Sequence, residues 1–304
     1  MKIKLLTIGL LTITSVFGQI NMADSTVQAI GYWEKNEMQS YVLTIDKIKI
    51  KGVDTTSRDF IKYDVDIKVI DSTETSYLLE WHYKNFTVDS KNEIMQKVMT
   101  LAEDMKVVVK TNELGVFEGV ENWKEVRDYM KRMTSKLSKE YKDAPTMVKL
   151  LKQIETTYST KEAIETNSIN EIHQFLTFHG GKYKLGEEYD GKLKVHNLYG
   201  GEPFDTDFTM YLDTIQQEDN NYILRATQTV NPEQLKEATY NYICLTMKTM
   251  GMPAPSKDDL KDISNETFTA SRIHGTGWLI YSIQTKVVKS DQTENIDETI
   301  IEIK

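Results

Sequence analysis

The chain has 304 residues, of which 39% are hydrophobic and 27% charged, with a formal net charge of −9. That length suffices for one large domain or two ordinary ones with buried cores, and the composition excludes a disordered chain. The acidic balance argues against nucleic acid and anionic lipid surfaces as electrostatic partners.

At the N-terminus, Lys2 and Lys4 precede an apolar run over residues 5–16 that ends in Val16-Phe17-Gly18 before Gln19. This charged, apolar, small-residue order is that of a secretory signal peptide, and the apolar part is too short to anchor in a bilayer. Cleavage after Gly18 gives a mature chain that starts at Gln19, with 35 basic against 46 acidic residues and a charge of −11. The expectation is an exported protein, soluble in the periplasm or the medium, with no transmembrane anchor and no lipid-bearing N-terminal cysteine.

Residues 29–34 and 40–51 read as strands, and a change of parity near Asp46 and Lys47 predicts a bulge. Over 59–84, Ile61, Tyr63, Val65, Ile67 and Val69 alternate with Lys62, Asp64, Asp66 and Lys68. After a polar turn, Tyr77, Leu79, Trp81 and Tyr83 share one face of the return strand, as an antiparallel hairpin requires. Ile94, Met95, Val98, Met99, Leu101 and Met105 recur at helical spacing, and 106–120 returns to strand with a turn at 112–115. Trp123, Val126, Met130, Met133, Leu137 and Tyr141 predict a second helix, and Pro145 starts a third through Met147, Leu151, Ile154 and Tyr158. A further helix from Thr160 or Ser168 to Phe178 stops at Gly180-Gly181.

Beyond that stop, 182–199 reads as strand broken at Asp190-Gly191, and 207–228 resembles a copy of the first hairpin. Asp59-Phe60-x-x-Tyr63 reappears as Asp207-Phe208-x-x-Tyr211, and Tyr77-Leu78-Leu79 as Tyr222-Ile223-Leu224, although Phe208, Met210 and Leu212 take the opposite parity. Asn231 caps the next helix, Pro232 suits its first turn, and Gly251 ends it. Two strands follow, 277–289 and 296–303, with Leu279, Tyr281, Ile283 and Val287 on one parity. The predicted fold is α+β: two related antiparallel β-rich lobes, each with a packed amphipathic helix, joined by a helical middle segment. The boundaries are 1–18 for the signal peptide, 19–121 for the N-terminal lobe, 122–180 for the connector and 181–304 for the C-terminal lobe.

Little chemistry is visible. The five histidines are scattered singly, and no HExxH, cysteine pair, GxSxG or phosphate-cradling loop occurs, so no enzyme, metal site or cofactor is expected. Cys244 reads as a small buried hydrophobe. Asp24-Ser25-Thr26 and three similar triplets match an O-glycosylation sequon, and also the ordinary composition of turns. Methionine on helical seams suits an adaptable apolar pocket. The candidate ligand-binding residues are Met95, Met99 and Met247, with Trp123, Tyr129, Tyr158 and Phe178 bordering a groove between the repeats. The expected function is a non-catalytic binding or carrier protein of the cell envelope for an apolar small molecule or lipid. The alternative is a structural or interaction component with solid cores, whose partner is another envelope protein.

Leu114-Gly115-Val116-Phe117-Glu118-Gly119-Val120-Glu121, Lys184-Leu185-Gly186-Glu187-Glu188-Tyr189 and Thr276-Gly277-Trp278-Leu279-Ile280-Tyr281-Ser282 carry a further likeness. In them the chain resembles a family of exported bacterial proteins of roughly this length, a domain of unknown function with two β-rich halves and a Gly-Trp strand near the C-terminus. The resemblance implies export and that fold, and brings no catalytic residues.

Overall fold

Period-two alternation builds most of this molecule. The computed structural model describes residues 19–91, 93–197, 199–253, 255–261 and 263–304, without the side chains of Met95 and Asp259; the predicted signal peptide lies outside the described residues. The first half holds β1 (Ile20–Asn21), β2 (Thr26–Gln28), β3 (Met38–Lys51), β4 (Asp54–Ser72), β5 (Ser76–Asp89), α1 (Glu93–Met99), β6 (Lys106–Asn112) and β7 (Phe117–Val120). Four helices follow: α2 (Trp123–Glu140), α3 (Pro145–Thr157), α4 (Lys161–Asn167) and α5 (Asn170–Leu176). The chain then runs through β8 (Lys182–Lys184), β9 (Glu188–Val195), β10 (Phe204–Gln216), β11 (Asn221–Val230), α6 (Pro232–Thr249), β12 (Ser264–His274), β13 (Leu279–Ser290) and β14 (Thr293–Ile303).

Eleven strands form one sheet in the order β7-β6-β5-β4-β3-β14-β13-β12-β11-β10-β9, and β1, β2 and β8 form a small second sheet. This overturns the expected pair of lobes. The stitch is β14, whose Ile296 pairs with Ile48 of β3 on one side and with Val287 of β13 on the other, so the two halves share one hydrogen-bonded ladder. The repeat falls with the lobes. Tyr63 is buried on the core face, whereas its counterpart Tyr211 pairs with Arg225 on the opposite face.

One core face runs across both halves, with Tyr41, Val65, Trp81, Tyr222, Leu279 and Ile301 in a single cluster. The helices α2 to α5 pack onto this face instead of linking two bodies. From α5, Phe175 stands edge-on to Tyr41 and Trp81, at 5.6 and 5.3 Å between ring centroids. Its neighbour Gln174 donates to Ser282 Oγ and the Thr299 carbonyl at 3.0 and 3.1 Å, so one helical turn grips strands from both halves. At the far end, α6 starts as predicted, with Asn231 Oδ1 accepting from Gln234 N at 3.0 Å, and sets Leu235 against Phe204 and Val230 on the same face.

Two local expectations are corrected. Pairing of β3 with β4 is unbroken at Asp46 and Lys47, and the register shifts only at Lys49/Ile50. The parity change is therefore a real change of face, placing Ile48 opposite to Tyr41 and Leu43. Nor does Asp190-Gly191 break β9: Gly191 pairs with Phe208, and a Cβ there would lie 2.3 Å from the Phe208 ring. This glycine gives the ring room within a continuous strand.

Candidate functional site

The helix-covered face is filled. Phe178 is buried, and Met99, Trp123, Tyr129 and Tyr158 are half-buried against the same core cluster. Trp123 lies under the Arg127 guanidinium at 5.4 Å, and Tyr129 donates its hydroxyl to the Glu103 carbonyl. Burial, then the nearby Glu171, pushes the Tyr158 hydroxyl up to about 12. Met247 lies apart on α6, half-exposed, and the side chain of Met95 is outside the described residues. Phe178, Met99, Trp123, Tyr129 and Tyr158 thus share a packed core and do not border a groove between lobes.

Buried titratable groups sit in that core. His179 Nε2 donates to the Gly277 carbonyl at 2.9 Å while Nδ1 has no partner among the described residues. Burial brings this imidazole down to about 4. Tyr83 donates to Glu171 at 2.6 Å, and burial raises that carboxyl. Cys244 is free and half-exposed on α6, where a buried position was expected. Among the described residues no group of three or more His, Cys, Asp and Glu is placed to hold a metal, and no helix is long and apolar enough to cross a membrane.

The opposite face of the sheet carries the less expected chemistry. Register sets Ala270, Ile283 and Ile300 side by side across β12, β13 and β14, and Val287, Ile296 and Ile48 across β13, β14 and β3, with the row Phe268-Thr285-Glu298-Asp46 between them on the same face. The six residues of the two apolar rows are only half-buried. The two core clusters contain none of them, because they stand on the side away from the helices. On the helix side the alternate positions of these strands include Thr269, Ser271, Ser282, Gln284 and Thr299, so here apolar rows stand on the open face while the covered face is largely polar.

At one end of this strip is a cleft of about 380 Å³ with Ile223, Ala270 and Ile280 in its wall. Its polar lining is Arg225, Ser271, Arg272, Tyr281 and Glu302. Arg225 Nε is held by Asp213 at 3.0 Å. Arg272 and Glu302 have no ion-pair or hydrogen-bond partner among the described residues. Burial, and then Glu298 and Glu302, raise the Tyr281 hydroxyl. A larger cleft of about 680 Å³ lies between α6 and the segment leading into β10, where Tyr199 and Tyr242 lie 5.1 Å apart beside Glu233 and Glu237.

Sequence reasoning grouped Leu279 with Tyr281 and Ile283. A register shift between Arg272 and Ile273 separates them, so Leu279 enters the core and Tyr281 the open face. The usable signal was the isolated basic residue Arg225 inside the apolar run Tyr222-Ile223-Leu224-Arg225-Ala226.

No family model matches the chain, and no curated protein matches it. A solved structure described as lipid-protein interactions in lipovitellin aligns with 89% of this chain and 25% of its own, at 10% identity and a TM-score of 0.44. The chain thus spans about a quarter of that neighbour, and a likeness of this degree assigns it no ligand.

Proposed function

We propose that the protein is an exported, non-catalytic binding or carrier protein whose ligand is an amphiphile with an apolar chain, laid along the open face of the sheet. The observation that carries this is the pair of apolar rows Ala270-Ile283-Ile300 and Val287-Ile296-Ile48 on the face away from the helices, with the row Phe268-Thr285-Glu298-Asp46 between them. Apolar area left in water costs about 25 cal/mol per Å², so a strip of this kind gains by taking a hydrocarbon chain. The adjoining cleft, with its few polar groups at one end, has the make-up of a site for a molecule with a polar head.

A second reading is favoured by the filled core under the helices: an interaction protein whose open face docks on another envelope protein. Native mass spectrometry of the exported protein separates the two. A retained amphiphile of defined mass supports the carrier. Protein that is ligand-free as purified and takes up no single-chain amphiphile on titration overturns it.

A further inference from the structure

The polar end of the cleft has an order that a plain apolar site would not need. Arg272, Tyr281 and Glu302 are successive partners across β12, β13 and β14, so they stand in one row on the open face. Neighbouring strands lie about 4.8 Å apart, which puts the backbones under Arg272 and Glu302 about 9.6 Å from each other. Side chains stand roughly perpendicular to a sheet, so the two charges keep a similar separation. They form no salt bridge with one another, and Tyr281 stands between them.

We propose that this cleft holds a zwitterionic headgroup, with its anionic centre on Arg272 and its cationic centre against Tyr281 and Glu302. The inference rests on the carrier reading and names the ligand class for it. Charge-assisted contacts take about 2.8 Å each, leaving about 4 Å between the charges of the ligand. A phosphate joined to an ammonium by a short spacer, as in choline or ethanolamine phosphate, has that form. Arg225 adds to the anionic end: Asp213 holds its Nε at 3.0 Å and leaves the other N–H groups of the fork to donate. At the other end, an aromatic ring beside a carboxylate is the setting that a quaternary ammonium takes. A simple anion fits less well, because Glu302 stands at the far wall and the chain as a whole is acidic. Ile223, Ala270 and Ile280 then lead the chain of the ligand from the headgroup onto Ile283 and Ile300.

The test is isothermal titration of the purified protein with dodecylphosphocholine, dodecyl phosphate and dodecyl maltoside, each below its micelle-forming concentration. Dodecylphosphocholine should bind about tenfold or more tightly than either of the others. Arg272→Gln should weaken it by about tenfold, and Glu302→Gln should abolish its advantage over dodecyl phosphate. That advantage is a ratio within one protein sample, so partial misfolding of a variant does not produce the result. Equal binding of the three surfactants, or tightest binding of dodecyl phosphate, overturns the headgroup assignment and leaves the carrier standing. Binding of none overturns both.

Discussion

Phe175 on α5 meets Trp81 on β5 edge to face, their planes at 85° and their centroids 5.3 Å apart. Through this contact a helix from the middle of the sequence closes over strands from its first third. The face so covered is a core, and the functional question moves to the other side of the same strands.

Val65 is fully buried on the core face, and its neighbours Asp64 and Asp66 point the other way, toward Lys304 and Lys84. Val65→Asp should therefore cost about 3 kcal/mol or more, because it buries an unpaired charge. Urea unfolding measures this, and a change within about 0.5 kcal/mol would mean that the faces are assigned the wrong way round.

Ile283→Lys should behave in the opposite manner. On the open face a lysine keeps its ammonium in water, so stability should change by about 0.5 kcal/mol or less while amphiphile binding is lost. Unfolding and titration of one sample give both readouts. Large destabilisation with binding intact would place Ile283 in a core.

Protonation of His179 links stability to pH. Its folded value of about 4 lies below the ordinary 6.5, so the unfolded chain takes up the proton first as pH falls. Stability should drop between pH 6.5 and about 4, by a total on the order of 3 kcal/mol. Glu171 works against this, since a raised carboxyl is destabilising when ionised and gains stability as pH falls through its folded value. Subtracting the pH curve of His179→Gln from that of the wild type isolates the histidine. Parallel curves for the two proteins would rule out its titration as a source of acid sensitivity.

Gly277 has φ +84°, and a Cβ there would lie 2.3 Å from the Ile30 carbonyl oxygen. Gly277→Ala should lower stability by about 1–3 kcal/mol or more, from a strained backbone together with a clash. Gly52, at φ +63° with nothing within 4 Å of its would-be Cβ, is the control; alanine there should cost about 1–2 kcal/mol at most. Equal thermal shifts for the two variants would show that the contact with Ile30 is not tight.

Local features were legible and long-range ones were not. The alternation around Val65, the heptad-like seam through Val126 and Met130, and the Asn231 cap each depend on residues a few positions apart, and each is present. What joins the halves is the pairing of Ile48 with Ile296, which no local pattern specifies because many strands of similar composition compete for the same edge. That the candidate groove residues pack into a core was hidden for a related reason. Methionines and aromatics at helical spacing mark an apolar seam without saying whether a core fills it, and Met99, Trp123 and Tyr158 pack into one. The open-face strip was visible as the parity change at Ile48, where a bulge was inferred instead of an apolar residue facing outward.

Because β14 lies between β3 and β13, the order of assembly matters as much as the finished sheet. Ile48 and Ile296 come from opposite ends of the described chain, and closing so long a loop is slow. Until β14 docks, β3 and β13 are two long strand edges with unpaired backbone groups, each able to recruit a strand from another molecule. The arrangement that makes one sheet of the two halves therefore also creates an interval during refolding in which dilution, or a chaperone that shields strand edges, decides between monomer and aggregate.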